Sequence, residues 1–290
     1  MANLSIIETS SPLDKKIFIS GIERLKKMKI NFKIPGKKEK YFFTFSPKMK
    51  FEELKRAVLD DDFEFLLAER GGAGAIHLIP FLKDLKIKKR KVLIGSSDLT
   101  YLGLYFLESF NFPFCYGPML SDLGRDDFSK IEEKYFTDIL NKKHFIYKNI
   151  KGVRFFKKGK GEGRIFGGNL TLFVSMLSFF KFSSFKGKIL FLEDVNEPLY
   201  KIDRNLFILK MKGIFDEING IIFGKMSKCF LESSKKEFLK IINEYFKDKN
   251  YPVVLFFPSG HSKPNLPLWI GGNCFIDSNK KIIESRFSYD

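Results

Sequence analysis

The hydrophobic positions along this chain fall into two patterns, one typical of buried strands and one typical of amphipathic helices. Short apolar runs recur as FEFLLAE, KVLIG, KILFLED, GIIFGKM and VVLFF. Runs of about four to eight apolar residues between turn signals are typical of buried strands. Apolar residues at helical spacing occur in LDKKIFISGIERLKKMK, FEELKRAVLD, LTYLGLYFLESF, RNLFILKMKGIF and KKEFLKIINEYFK. Strands and helices that alternate in this way predict an α/β protein.

The chain changes character near its middle. The stretch from Ser121 to Gly168 is Lys-rich and charged, and it holds the glycines of GKGEGR and one short element, EEKYFTDIL. We therefore expect an N-terminal α/β domain at 1–125, a connecting segment at 126–165 and a C-terminal domain at 166–290. The last two runs, NCFIDS and KKIIESRF, predict a closing hairpin.

Three residues with catalytic chemistry each stand at the end of a strand-like run. Ser97 follows KVLIG, Glu193 ends KILFLE, and His261 follows VVLFFPSG. Open α/β sheets place ligands and chemistry beyond the carboxyl ends of their strands. A hydroxyl, a carboxylate and an imidazole are the parts of an acyl-transfer triad, and the order Ser…Glu…His is one of several in use.

The turn that carries Ser97 has two interpretations. Ser-Ser-Asp between a strand and a helix is also typical of ordinary N-capping, and the segment is not GxSxG. In the catalytic interpretation the turn exposes the Ser97 hydroxyl, and the amide of Asp98 stabilises an oxyanion. The segment RGGAGA, after the preceding strand, could supply a second donor because paired glycines let backbone N–H groups approach a ligand. Neither a dinucleotide loop nor a P-loop pattern is present.

The acid and the base are chosen among several candidates. A carboxylate at the end of a buried strand needs a partner, because burying it alone is costly. Glu193 could meet one of the many lysines or orient an imidazole, and Asp194 and Glu197 compete with it. Among the three histidines, the other two lie in an apolar helix-like stretch and in the charged segment. Elimination therefore favours His261, in its Pro/Ser/Gly loop, as the base.

Length and composition restrict the class of protein. A chain of 290 residues with 35 Phe can bury a full core and forms one large domain or two moderate ones. MANLSIIETSSPLDKK lacks the pattern of a secretory signal, and no apolar run could span a bilayer. The three cysteines are far apart and form no CxxC pair, which is typical of reduced thiols in the cytoplasm. We therefore expect a cytoplasmic protein.

The net charge of +17 attracts anions but does not by itself identify a partner. The lysines are scattered along the whole chain, and neither zinc-finger spacing nor an RNP-like aromatic motif is present. We expect a solvated Lys-rich surface, no nucleic-acid partner and no membrane partner. A basic, non-catalytic nucleic-acid-binding protein is the distant alternative, and a steep salt dependence of binding would identify it.

Several segments together resemble a known family. The chain resembles the LD-carboxypeptidases, the serine peptidase family that includes muramoyl-tetrapeptide carboxypeptidase and the microcin C immunity proteins. The matching segments occur in the family's order and cover essentially the whole chain: ERGGAGA, LIGSSDLT, YGPM, GGNLTL, FLEDVNEPLYKIDR and FPSGH followed by NLPLWIGG.

The resemblance implies roles for the candidate residues. It assigns the nucleophile to Ser97, the acid to Glu193 and the base to His261. The oxyanion hole would be the backbone amides of Asp98 and of the Gly71-Gly72 turn, with Gly72 as the donor.

The resemblance also implies an architecture. It implies a flavodoxin-like N-terminal domain that holds the serine and a C-terminal swivelling β/β/α domain that holds Glu and His. The triad would be completed across the domain interface. Homodimers are usual in such a family, and neither a metal nor another cofactor is expected.

The implied substrate is a murein tetrapeptide, cleaved before its terminal D-alanine during cell-wall recycling. Arg70, Gly71 and Arg204 are candidates for substrate binding, since a carboxypeptidase must recognise a free carboxylate. The alternative substrate is a peptidyl or acyl-sulfamoyl nucleotide, as for the microcin immunity proteins. The chain departs from the family's commonest pattern at three positions near the expected pocket: Ala73, Ser96 and Tyr116.

Overall fold

The computed structural model describes residues 3–34, 40–41 and 44–289. The chain divides into two compact units, Met1–Lys143 with Tyr289–Asp290, and His144–Ser288. The division falls inside the segment 126–165 that the sequence predicts as a connection. Residues Lys130–Leu140 form a helix of the first unit, and the chain from Phe145 onward enters the sheet of the second. The charged, Gly-containing sequence of this segment is therefore divided between two folded units.

The first unit is built on a parallel sheet. Its elements in chain order are β1 (Asn3–Ile7), α1 (Lys15–Lys27), β2 (Asn31–Lys33), β3 (Lys40–Tyr41), β4 (Thr44–Phe45), α2 (Pro47–Leu59), β5 (Phe65–Ala68), α3 (Ile79–Leu82), β6 (Val92–Gly95), α4 (Thr100–Phe110), β7 (Phe114–Tyr116), α5 (Leu120–Leu123) and α6 (Lys130–Leu140). Five of the strands pair in parallel in the order β2-β1-β5-β6-β7. Counted along the chain this is the order 2-1-3-4-5, which is flavodoxin-like as expected.

Burial explains why the central strands read as continuous apolar runs. Every residue of β5 and of β6 is buried, because helices cover both faces of a parallel sheet. The run NLSII of β1 was not predicted as a strand, since it is short and Ser5 interrupts it. Its central place between β2 and β5 buries Leu4, Ile6 and Ile7.

The second unit contains a mixed sheet of eight strands. Its elements in chain order are β8 (Phe145–Lys148), β9 (Arg154–Lys157), β10 (Lys160–Asn169), α7 (Leu170–Met176), β11 (Ile189–Val195), α8 (Leu199–Met211), α9 (Ile214–Glu217), β12 (Gly220–Ser227), α10 (Lys235–Phe246), β13 (Val253–Leu255), β14 (Leu268–Ile270), β15 (Asn273–Asp277) and β16 (Ile282–Ser285). The strand order is β8-β16-β15-β10-β11-β12-β13-β9. The long strand β10 pairs antiparallel with β15 through its first half and parallel with β11 through its second. The predicted terminal hairpin is confirmed as β15 and β16.

Phenylalanine fills much of the core of the second unit. The rings of Phe166 and Phe182 lie with centroids 5.3 Å apart, and those of Phe166 and Phe173 lie 6.0 Å apart. Edge-to-face contacts of this kind stabilise a core beyond the area that the rings bury.

Within the described residues, no helix combines the length and the apolar character needed to cross a membrane.

Candidate active site

A strained turn carries Ser97 at the carboxyl end of β6. The chain leaves Gly95 and passes through a 3-10 turn, Ser97–Leu99, directly into α4. Ser97 has a φ of 59°, in the left-handed region that residues other than glycine rarely adopt. Strained backbone at such a turn is typical of a nucleophile elbow and presents the side chain beyond the sheet. The turn is therefore a strand-to-helix elbow, although its sequence is not GxSxG.

The glycine turn after β5 lies against this elbow. Because β5 and β6 are parallel neighbours, their carboxyl ends meet at one edge of the sheet. A Cβ added to Gly71 would lie 2.8 Å from Cβ of Ser97, 2.9 Å from its Oγ and 3.5 Å from the Asp98 amide nitrogen. Only a glycine permits this approach of the two turns. Gly72 follows at the exposed surface with a φ of 116°. The structure thus brings together Ser97, Asp98 and the Gly71-Gly72 turn.

A buried carboxylate ties the two turns together. Asp98 is 3% exposed, and its Oδ2 accepts a hydrogen bond of 2.9 Å from the amide of Ala75, just beyond the glycine turn. Burial raises the pKa of Asp98, while hydrogen bonds from Ala75 and from the Ser10 side chain, and the charge of Lys50, oppose that rise. Lys50 is itself buried and donates to the carbonyl oxygen of Ser10. The Asp98 side chain therefore fixes the glycine turn to the elbow that carries Ser97.

The predicted acid and the predicted base meet in the second unit. Glu193, near the end of β11, is 0% exposed, and its Oε2 lies 2.8 Å from Nδ1 of His261, whose side chain is 29% exposed. The same oxygen accepts the backbone amide of His261 at 3.3 Å. Because an ionised carboxylate only accepts, Nδ1 carries the proton of this contact. Of the competing carboxylates, Glu197 pairs with Lys201 at 3.0 Å.

Glycines on two sides make room for the Glu193 carboxylate. A Cβ at Gly224, on the neighbouring strand β12, would lie 2.7 Å from Cβ of Glu193. A Cβ at Gly260, next to His261, would overlap Cγ, Cδ and Oε2 of Glu193. The φ of Gly260 is 90°, which also favours glycine. The carboxylate can therefore lie beneath the histidine loop only because both neighbours lack a side chain.

Both clusters of candidate residues lie in segments that match one family. Residues 4–117 match the model of the LD-carboxypeptidase N-terminal domain, and residues 162–276 match that of the LD-carboxypeptidase C-terminal domain. The chain belongs to the LD-carboxypeptidase family. Its match to the two domain models confirms the resemblance stated from the sequence.

Curated relatives of this LD-carboxypeptidase span most of its length. It is 26% identical to the probable murein peptide carboxypeptidase of Bacillus subtilis (98% of this chain, 92% of the relative). It is 29% identical to the microcin C7 self-immunity protein MccF of Escherichia coli (95% and 89%). It is 26% identical to the murein tetrapeptide carboxypeptidase of Pseudomonas aeruginosa (80% and 78%).

Solved structures share the fold. A structure of MccF in complex with glutamyl sulfamoyl guanosine superposes with a TM-score of 0.89 at 25% identity, covering 99% of this chain and 96% of that one. A structure of muramoyltetrapeptide carboxypeptidase from Oxalobacter formigenes gives a TM-score of 0.84 at 24% identity, covering 98% and 97%. The expected α/β fold with two domains is confirmed.

A polar network in this LD-carboxypeptidase escaped sequence reasoning. The side-chain amide of Asn169 donates to Asp194 at 2.9 Å and to Glu193 at 3.4 Å. Thr171 donates to Asp194 from its amide at 3.0 Å and from its hydroxyl at 2.7 Å. Burial raises the pKa of Asp194, and the nearby charge of Glu193 adds to the rise, while the Thr171 hydrogen bond lowers it. The sequence feature that could have indicated this network is the segment GGNLTL, in which polar residues lie at the end of a strand.

The loop after β1 also escaped sequence reasoning. Ser10 is part of the Asp98 network, and the Ser11 hydroxyl oxygen accepts the amide of Ala73 at 3.0 Å. The signal was NLSII followed by ETSS, an apolar run ending in polar residues like those that mark the other site loops.

The two arginines suggested for substrate binding have protein contacts. Arg70 donates to the carbonyl oxygen of Gly71 at 3.1 Å and to that of Pro12 at 3.4 Å, so it braces the glycine turn. Arg204 is exposed on α8, with its guanidinium 5.4 Å from the ring centre of Tyr200. Their binding of a substrate carboxylate stays a prediction.

Gly260→Ala should displace the acid–base pair. We expect kcat for D-alanine release to fall by about 100-fold, because small displacements of catalytic groups cost rates of this order. Gly213→Ala is the matched control, since Gly213 has a φ of 73° but no atom within 4 Å of an added Cβ. Both variants carry backbone strain, so thermal unfolding should show a loss in each, whereas only Gly260→Ala should lose activity. Equal activity of the two variants would contradict the packing argument.

Proposed function

We propose that this chain is a serine-type LD-carboxypeptidase that hydrolyses the amide between an L-diamino acid and the terminal D-alanine of murein tetrapeptides in cell-wall recycling. The observation that carries the proposal is the 2.8 Å contact between the buried Glu193 carboxylate and Nδ1 of His261. A histidine held in this way has the correct tautomer for general base catalysis, and its charged form is stabilised. The names of the relatives from Bacillus subtilis and Pseudomonas aeruginosa support the substrate class.

Acylation uses the three candidate side chains together. Nε2 of His261 takes the proton of the Ser97 hydroxyl as its Oγ attacks the carbonyl carbon before D-alanine. Glu193 stabilises the imidazolium that forms. His261 then gives the proton to the departing amine, the C–N bond breaks, and D-alanine leaves the acyl-enzyme. In the second half, water gives a proton to His261 and attacks the ester carbon, and the proton returns to Ser97 as the shortened peptide leaves.

The oxyanion of each tetrahedral intermediate would be held by backbone amides. The amide of Ser97 already donates to the hydroxyl oxygen of Tyr116 at 3.0 Å, so it is not the donor we assign. The amide of Asp98 follows the nucleophile, as in other strand-to-helix elbows, and the Gly71-Gly72 turn lies against it. We therefore assign the two donors to Asp98 and Gly72.

Mass spectrometry of the purified protein incubated with L-Ala-γ-D-Glu-meso-diaminopimelyl-D-Ala tests the proposal. We expect release of D-alanine and a tripeptide. A parallel incubation with glutamyl sulfamoyl guanosine tests the alternative, an amidase of the microcin immunity type. Cleavage of the nucleotide conjugate alone would overturn the proposed substrate and leave the hydrolytic chemistry standing. Cleavage of neither compound would contradict both functions.

The position of the tryptophan does not support the nucleotide alternative. Trp269, the single tryptophan of the chain, is 1% exposed and stacks on Phe145 with centroids 5.7 Å apart. A nucleobase stacks on an exposed aromatic face, and this buried indole does not provide such a face.

Location in the cytoplasm and assembly as a homodimer stay predictions.

A further inference from the structure

A buried tyrosine hydroxyl contacts the backbone of the proposed nucleophile. Tyr116 ends β7, next to β6 in the parallel sheet, with Gly95 as its partner in register. Its side chain is 0% exposed, and the ring of Phe114 packs against it edge-on at 5.7 Å. The Tyr116 hydroxyl oxygen accepts a hydrogen bond of 3.0 Å from the amide of Ser97. The phenol thus reaches from one strand end to the elbow on the next.

This hydrogen bond lies at the point where the strand gives way to the turn. Ser96 is still extended, with a φ of −149° and a ψ of −172°, and the chain turns at Ser97, whose φ is 59°. A partly buried N–H group in such a turn requires an acceptor, because leaving it without one destabilises that conformation. The Tyr116 oxygen provides the acceptor from a rigid position, since the ring is packed on its edge. The Tyr116 hydroxyl therefore holds the peptide unit between Ser96 and Ser97, from which the left-handed turn begins.

We propose that Tyr116 is a positioning residue for the nucleophile. Its hydroxyl fixes the amide of Ser97, and with it the direction of the Ser97 side chain and of the following Asp98 amide. It also occupies the Ser97 amide, so that this group does not compete for the oxyanion. The inference rests on the proposed function, since it assigns Ser97 as the nucleophile.

Burial predicts which kinetic constant responds. Tyr116 is fully buried and so does not contact a bound peptide, and its loss should leave substrate binding unchanged. Positioning acts on the transition state, where the attack of Oγ and the donation by the Asp98 amide must coincide. The effect should therefore appear in kcat and not in KM.

Tyr116→Phe tests the inference because it removes one oxygen atom and keeps the ring. We expect kcat for D-alanine release to fall by about tenfold, equivalent to about 1.4 kcal/mol, with KM changed by less than about twofold. The rate at which a fluorophosphonate labels Ser97 should fall by a similar factor, and this readout does not depend on the peptide. The end point of labelling counts the folded active sites, so kcat can be given per active site even if the variant is less stable.

Tyr251→Phe is the matched control. The Tyr251 hydroxyl donates to the carbonyl oxygen of Phe215 at 2.8 Å, before the start of β13, so this variant also loses one hydrogen bond. We expect it to lower the thermal midpoint without lowering kcat or the labelling rate.

The outcomes separate the inference from the proposed function. A Tyr116→Phe enzyme with wild-type kcat and labelling rate, beside an inactive Ser97→Ala enzyme, would overturn the inference and leave the function standing. A rise in KM that accounts for the whole loss would also overturn it, since Tyr116 would then act on binding. Full activity of Ser97→Ala would instead overturn the function on which the inference rests.

Discussion

Ser97→Ala should abolish the release of D-alanine, with kcat lowered by about 10⁴-fold or more. The variant lacks the oxygen that forms the acyl-enzyme. Its fold should persist, because the change removes one partly buried hydroxyl and keeps the turn's backbone hydrogen bonds. The measurement is D-alanine release followed by mass spectrometry, together with intact-protein mass after fluorophosphonate treatment.

Ser109→Ala provides the comparison for this result. Ser109 lies on α4, the helix that the elbow begins, but at its exposed far end. Removing its hydroxyl should change neither activity nor labelling. If Ser97→Ala were to release D-alanine at the wild-type rate, the acyl-enzyme mechanism would be wrong for this chain, and direct attack by water would have to replace it.

Local pattern was enough to predict seven of the sixteen strands in the described residues, and the strand ends that carry the candidate site residues. The strand β6 is buried throughout and β11 is buried up to its last residue, and both are predicted by apolar runs because both of their faces are covered. The first polar residues after each run then mark the carboxyl edge of a sheet, where Ser97, just after Ser96, and Glu193 lie. The strand β1 escaped because one polar residue breaks a run of only five.

Contacts between distant segments could not be predicted, because they depend on strand register. Tyr116 reaches Ser97 only because β7 pairs with β6 and places Tyr116 opposite Gly95. Gly224 lies beside Glu193 because β12 runs next to β11 with a register shift between Leu192 and Asp194. The periodicity of the sequence does not show which residue of one strand lies opposite which residue of its neighbour.

The choice between Glu193 and Glu197 as the partner of the histidine could not be made from the sequence either. Both follow the apolar run KILFL, and the sequence left either of them able to meet the histidine. In the structure Glu193 is still within β11 and is fully buried, whereas Glu197 lies beyond the strand end, where Lys201, one turn along the chain, reaches it. Glu193 is therefore the buried partner of His261, and Glu197, four residues later, forms a partly exposed ion pair with Lys201.

Glu193→Gln should lower kcat by about 10³- to 10⁴-fold, an effect of the size seen when the acid of a triad becomes an amide. The side chain keeps its shape within the space left by Gly224 and Gly260, so the fold should be retained. Its amide cannot balance the charge of the imidazolium, and its NH2 group can donate to Nδ1, which selects the wrong tautomer. The loss should appear in kcat measured by D-alanine release, with KM little changed.

Glu197→Gln is the control that makes this result specific. It removes the same charge four residues away, from a pair with Lys201 in which the side chains are 20% and 44% exposed. Exposed ion pairs of this kind contribute little to stability, so both fold and activity should remain close to wild type. A large loss in Glu197→Gln with little loss in Glu193→Gln would reverse the assignment, and the 2.8 Å contact at His261 would then be a structural ion pair. A loss confined to Glu193→Gln would assign the effect to the carboxylate next to His261, because removal of the same charge four residues away would leave activity unchanged.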